Sequence, residues 1–204
     1  MKLLHIDSSI LSDNSVSRQL THTVVEQWRH AHPNSKVVYR DLAAQAPSHL
    51  SAEVLSAGAV APAHRSPLQR EELALSETLL TEFLAADVVV IGAPMYNFSI
   101  PSQLKAWLDR VMVAGRTFKY TDSGPVGLAG AKQVVIVLSR GGIYTQGSPA
   151  QDMDHQEAYL KVALGFMGIT AVEIVRAEGV NMKEQRERVI ENAQRQALHL
   201  LKAA

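Results

Sequence analysis

The sequence predicts a doubly wound α/β domain: one five-stranded parallel sheet in the order 2-1-3-4-5, with helices on both faces. Three observations predict it. Strand-like apolar runs at residues 3–6, 36–41, 87–92, 133–138 and 170–175 alternate with segments of helical periodicity. The run Val88, Val89, Val90, Ile91 is apolar throughout, as suits a strand covered on both sides. Right-handed crossovers and five strands then favour this order, in which the chain reverses direction between strands 1 and 3. A length of 204 residues fits a single domain over 1–204.

The first strand (3–6) ends at Asp7 and a serine cluster. Over 17–30, Leu20, Val24, Val25 and Trp28 recur at helical spacing, and a turn over 30–35 leads to strand 2 (36–41). Residues 47–65 read as a short helix followed by a surface loop. The next helix has a three-part entry signal: Ser66 as N-cap, Pro67 at the first helical position and Gln69 completing a capping box. Glu71 and Glu72 add negative charge to its positive first turn. Leu73, Leu79, Leu80, Phe83 and Leu84 supply much of its apolar face. After strand 3 (87–92) comes an amphipathic helix over 101–113. Its stripe of Leu104, Trp107, Leu108, Val111 and Met112 faces either the sheet or a second copy of the chain. A polar connector (116–130) precedes strand 4 (133–138). A polar loop (145–154), an apolar helix (159–167) ended by Gly168, strand 5 (170–175) and a charged helix (183–202) complete the chain.

Composition narrows the function. With 47% hydrophobic and 20% charged residues, the chain resembles ordinary globular domains with a full core. Lys and Arg (20) balance Asp and Glu (20), so no basic field points to nucleic acid or anionic lipid. The lack of cysteine excludes disulfides, thiolate metal sites and a cysteine nucleophile. No apolar stretch approaches the ~20 residues that span a bilayer. The first seven residues meet a charge too early for an apolar signal segment, so a cytoplasmic location is expected. His30 and His32 sit in a turn without acidic neighbours, and no metal site is expected. A Gly-x-Ser-x-Gly elbow and a Gly-Lys-Ser/Thr loop are missing, which argues against an α/β hydrolase and a nucleoside triphosphatase. Gly124, Gly127 and Gly130 are wrongly spaced for a dinucleotide loop.

Three loops carry chemistry, and each follows the end of a predicted strand on the edge where α/β ligands bind. The loop over 8–17 offers Ser9, Ser15, Val16 and Ser17 at a helix N-terminus, where hydroxyls, orphan amides and the helix dipole favour a phosphate. The same serines also serve as turn formers and an N-cap. The second loop holds Met95, Tyr96, Asn97 and Phe98 between Pro94 and Pro101. It pairs polarisable surface for a planar ring with donors and acceptors for a polar ring edge, the combination a flavin needs. In the third, Gly141 and Gly142 permit positive φ and close approach of backbone to ligand, beside Ser139. Arg140 either touches the cofactor or points to solvent.

These segments together form a recognisable pattern. Ser9-Ile10-Leu11, Pro94-Met95-Tyr96-Asn97-Phe98, Thr117-Phe118-Lys119-Tyr120-Thr121 and Ser139-Arg140-Gly141-Gly142 resemble the FMN-dependent NADH azoreductases, also called FMN-dependent NADH:quinone oxidoreductases. The likeness runs nearly end to end. It implies a flavodoxin-like homodimer with one non-covalent FMN per subunit and sites near the dimer interface. Ser9, Ser15, Val16 and Ser17 would hold the ribityl phosphate, Met95 to Phe98 one side of the ring, and Ser139 to Gly142 its other edge, with Tyr120 close to the acceptor pocket. The implied reaction is ping-pong: NADH gives hydride to FMN, which passes it to a quinone or an aromatic azo compound. Cleavage of an azo bond to two amines takes two rounds. No general acid or base is assigned, because the flavin carries the redox chemistry. The alternative is a flavodoxin-type electron carrier serving protein partners.

Overall fold

The computed structural model describes residues 1–200. Five strands form one parallel sheet: β1 (Lys2–Asp7), β2 (Lys36–Asp41), β3 (Val88–Pro94), β6 (Gln133–Arg140) and β7 (Val172–Glu178). Their order is β2-β1-β3-β6-β7, the expected 2-1-3-4-5 once a small hairpin, β4 (Phe118–Thr121) with β5 (Gly124–Gly127), is counted between them. The register aligns the strand ends: Asp7 lies between Asp41 and Gly92, and Pro94 lies beside Ser139. Every loop that follows a sheet strand therefore opens on the same edge.

Alternation along the strands divides the core in two. Leu4, Ile6, Val89, Ile91, Val134 and Ile136 face a layer built from α3 (Pro67–Ala85), α4 (Ser102–Val111) and α5 (Glu157–Phe166). Leu3, Val88, Val90, Val135 and Val137 face α1 (Val16–Ala31) and α6 (Arg186–Leu200). Burial on both faces explains why the central strands read as unbroken apolar runs. Among the described residues, no helix is long and apolar enough to cross a membrane.

The capping box forms as expected: the Gln69 amide donates to Ser66 Oγ (3.1 Å) and the Ser66 amide to Gln69 Oε1 (3.0 Å). Glu72 departs from its expected role at the helix dipole. It is buried against Arg110 of α4, with a 2.6 Å ion pair. The α4 stripe resolves inward: Leu104, Trp107, Leu108 and Val111 are fully buried, and Met112 packs against the same core. Residues 47–65 contain one short helix, α2 (Ala52–Ser56), and two 3-10 turns. The last strand runs to Glu178, later than the expected 170–175, and the final helix begins at Arg186 instead of 183. The part of that predicted helix at 201–202 lies outside the described residues.

The hairpin corrects the expectation of a plain polar connector. Its strands are four residues each, and Gly124 and Pro125 obscure their alternation. A Cβ on Gly127 would lie 2.1 Å from the Gly168 nitrogen, so this seat against the end of α5 accepts only glycine.

Candidate flavin site

The first loop is braced before any ligand is considered. The Ser8 hydroxyl donates to the Gly92 carbonyl (2.6 Å), tying the exit of β1 to β3. Ser15 caps α1, its Oγ accepting from the Arg18 amide (3.3 Å) and lying 3.1 Å from Ser17 Oγ. The amides of Val16 and Ser17, one turn too early for an intrahelical acceptor, are left for a ligand. Ser9, Ser15, Val16 and Ser17 are all buried, while Ile10 and Leu11 form an exposed rim.

The second loop is strained. Tyr96 and Ser99 exchange backbone hydrogen bonds (3.0 and 3.1 Å), forcing Asn97 and Phe98 around a tight turn. Their φ values are +47° and +72°. Asparagine tolerates this region; phenylalanine occupies it at a cost of order 1–2 kcal/mol, and strain of this kind collects at functional sites. The turn holds the Phe98 ring 40% exposed, 6.5 Å from the Tyr144 ring.

These loops touch. Tyr96 Oη accepts from the Ile10 amide (3.2 Å) and lies 3.3 Å from Ser9 Oγ, joining the first loop to the second. The Met95 amide donates to the Ser139 carbonyl (2.8 Å), joining the second to the third. The third is closed from outside by the turn after β7: the Gly179 and Val180 amides donate to the Arg140 carbonyl, and the Asn181 amide donates to the Gly141 carbonyl.

Two expectations for the third loop are corrected. Gly141 and Gly142 do not adopt positive φ. Glycine is needed there for space, since a Cβ at Gly141 would meet Asn181 Nδ2 at 2.6 Å and one at Gly142 the Tyr144 ring at 3.3 Å. Arg140, offered by the sequence to cofactor or solvent, extends its side chain to neither. It is 1% exposed, donating to Gln156 (2.8 Å) and paired with Glu178 (2.8 Å), Asp154 (2.8 Å) and Glu157 (3.3 Å). Gln156 in turn donates to the Ala93 carbonyl (2.7 Å), so the network ties β6, β3 and α5 together beneath the loops. Burial pushes Glu178 up, but hydrogen bonds from Thr145, Arg140 and the Tyr144 amide outweigh it and hold its carboxyl below the usual range. Glu157 is likewise opposed by burial, and the hydrogen bonds of Arg176 and Lys161 bring it to about 2.

Tyr120 stands apart. It is 73% exposed on the hairpin, its ring edge-on to Phe118, which packs on Phe166 at the far end of α5. The near end of α5, at Gln156, meets the exits of β3 and β6 at Ala93 and Arg140.

A family model described as flavodoxin-like fold matches residues 1–201. An FMN-dependent NADH:quinone oxidoreductase of Polaromonas naphthalenivorans is 59% identical over 184 residues, covering 90% of this chain and 85% of that one. FMN-dependent NADH:quinone oxidoreductase 1 of Pseudomonas putida is 56% identical over the full length of both chains. This chain belongs to that family. Among solved structures, an azoreductase of Bacillus anthracis superposes with a TM-score of 0.88 at 31% identity, over 97% of each chain. An FMN-dependent NADH-azoreductase of the same species, in complex with FMN, gives 0.86 at 28% over 98% of each. Membership makes the chain an oxidoreductase. The sequence misses the residues that brace the site: Arg18 and Asp41 under the first loop, and Gln156, Asp154 and Glu178 under the third. Their only signal is position, since Asp41 and Glu178 each end a sheet strand on the loop edge.

Proposed function

We propose that this chain is an FMN-dependent NADH oxidoreductase acting on quinones and aromatic azo compounds, as one domain over 1–204 working in the cytoplasm as a homodimer. The observation that carries the reading is the joining of three loops on one sheet edge through Tyr96 Oη and the Met95 amide. The chain's own donors fit FMN. Ser9, Ser15, Ser17 and the free amides of Val16 and Ser17 suit a phosphate dianion at the positive end of α1. Met95, Tyr96, Asn97 and Phe98 offer apolar surface and a carboxamide to a planar ring with a polar edge. Ser139, Gly141 and Gly142 close the other edge with backbone, and Arg140 serves from below by holding that loop in place. Bound there, FMN would supply hydride transfer between NADH and the acceptor, in a ping-pong cycle needed once for a quinone and twice for an azo bond.

Among the described residues, one exposed apolar face supports the homodimer. On α5, Ala158, Val162 and Gly165 are exposed and Phe166 half-buried, and the hairpin adds Tyr120, Val126 and Leu128. With a two-fold partner on this face, the exposed Tyr120 would stand at the interface between the two copies, where an acceptor site near that interface can use it.

The test is an absorbance spectrum of the protein supplied with FMN, then anaerobic NADH, then a benzoquinone. Flavin bands that are retained, bleach with NADH and recover with quinone are the expected result. Bands that NADH cannot bleach would favour an electron carrier, and a protein that takes up no flavin would discard the site.

A further inference from the structure

We propose that Arg18 is a positioning residue that sets the phosphate selectivity of the flavin site. It does so by fixing which way the Ser9–Ile10 peptide faces. This inference rests on the reading of the serine loop as the phosphate end of the flavin site.

All five N–H groups of the Arg18 guanidinium are engaged by the protein. Nη1 and Nη2 clasp Asp41 through a bidentate pair (both 2.7 Å), Nη1 also donates to Tyr39 Oη (3.0 Å), and Nη2 and Nε donate to the Ser9 carbonyl (2.8 and 3.3 Å). No donor is left for a ligand, so Arg18 acts through the loop. Asp41 is an anchored base for the clasp: its own turn holds it through the Ala43 and Ala44 amides (2.9 and 3.2 Å). The Arg18 hydrogen bonds keep the Asp41 carboxyl below its usual range.

The consequence follows from peptide geometry. In a planar trans peptide the carbonyl and the next N–H point in opposite directions. With the Ser9 carbonyl drawn toward Arg18, the Ile10 N–H is turned the other way, where it meets Tyr96 Oη at 3.2 Å on the side shared with the second loop. Without the clasp, only the hydrogen bond from the Ile10 N–H to Tyr96 Oη holds this peptide, and a flip comes within reach. A flip would exchange that N–H for a carbonyl oxygen on the side shared with the second loop, adding negative partial charge beside the anion proposed for the serine loop.

Charge adds to the effect. Beneath the loop, Asp7 is buried with its carboxylate accepting from Thr21 (2.9 Å) and Tyr39 (3.2 Å). Asp7 and Asp41 together would repel a phosphate, and Arg18, paired with Asp41 at 2.7 Å, offsets that charge. A flavin lacking the phosphate would sense neither the flipped peptide nor these carboxylates.

The experiment compares FMN with riboflavin, titrated into the full-length chain stripped of flavin and followed by quenching of flavin fluorescence. The Arg18→Ala variant is expected to weaken FMN by about tenfold or more, the scale of losing charge-assisted hydrogen bonds, and to leave riboflavin within about twofold. The Arg18→Lys variant keeps the charge but cannot hold Asp41 and Ser9 at once. It is expected to show a smaller loss that is again confined to FMN, and it serves if the alanine variant does not fold. An unchanged FMN preference in both variants, equal loss of both flavins, or full restoration by lysine would overturn the role of the clasp. A wild-type chain that binds FMN no better than riboflavin would instead overturn the phosphate-loop reading itself.

Discussion

At the scale of single residues, the second loop shows how conformation and chemistry meet. Asn97 occupies a left-handed turn position (φ +47°) that few L-residues accept, and it presents a carboxamide beside a polarisable tyrosine and phenylalanine. Two substitutions separate those duties. Asn97→Gly keeps the turn and removes the carboxamide, whereas Asn97→Ala removes both. Urea denaturation of the flavin-free protein should place the glycine variant within about 0.5 kcal/mol of wild type and the alanine variant about 1 kcal/mol below it. FMN retention should fall in both. Unchanged FMN affinity and turnover in both variants would remove Asn97 from the site. This residue was legible in the sequence because it stands between ring-like side chains after a strand. Arg18 was not, because its partner Asp41 lies 23 residues away on the end of another element. Arg140 was misjudged for the same reason: Asp154, Glu157 and Glu178 converge on it only once α5 and β7 are placed.

At the scale of elements, the sheet strands were legible because burial on both faces leaves them apolar, and the capping box of α3 because its chemistry is local. The hairpin escaped because four-residue strands holding glycine and proline carry no period to read. The junction of β6, β7 and α5 depends on charges that pattern cannot see, and pH exposes it. Glu157 accepts from Arg176 (2.8 and 2.6 Å) and pairs with Lys161 (2.7 Å), and despite burial its carboxyl is held at about 2, below the ordinary 4.5. A group depressed in the folded state stabilises fully above its unfolded value, and the benefit disappears as pH falls through the folded one. The contribution of Glu157 should therefore be complete above about pH 4.5 and fade down to about pH 2. Glu157→Gln should lower stability at pH 7 by about 1–2 kcal/mol, between the values for exposed and for buried pairs, because Arg176 and Lys161 reach solvent. It should also flatten the decline between those pH values, leaving Glu178 and Asp41 to supply what remains. Denaturant midpoints measured against pH check this, and parallel curves for the two proteins would show that Glu157 is not the group responsible.

At the scale of the whole molecule, a core packed on both sides of the sheet leaves the candidate site to one edge and one apolar face exposed. The α4 stripe, which the sequence left between sheet and partner, is spent on the core, so a partner needs another apolar surface. The outward side of α5 with the hairpin offers such a surface for the proposed homodimer: Val162 is 70% exposed and Leu128 43% exposed, beside the fully buried Leu160 and Leu164 of the same helix. Val162→Asp tests the homodimer without touching the three loops. An exposed substitution of this kind should change the stability of the isolated chain by no more than about 0.5 kcal/mol, but a carboxylate placed on an apolar two-fold interface meets its own copy and loses its water. Sedimentation equilibrium should then give the 22.3 kDa of one chain where wild type gives twice that mass. FMN should be retained, since Ser9 to Ser17, Met95 to Phe98 and Ser139 to Gly142 all come from one chain. Quinone turnover should fall if, as proposed, the acceptor site lies near the interface and uses Tyr120 there. A variant that keeps the doubled mass would move the interface elsewhere, and a wild-type chain that is fully active at the mass of one copy would remove the partner from the mechanism.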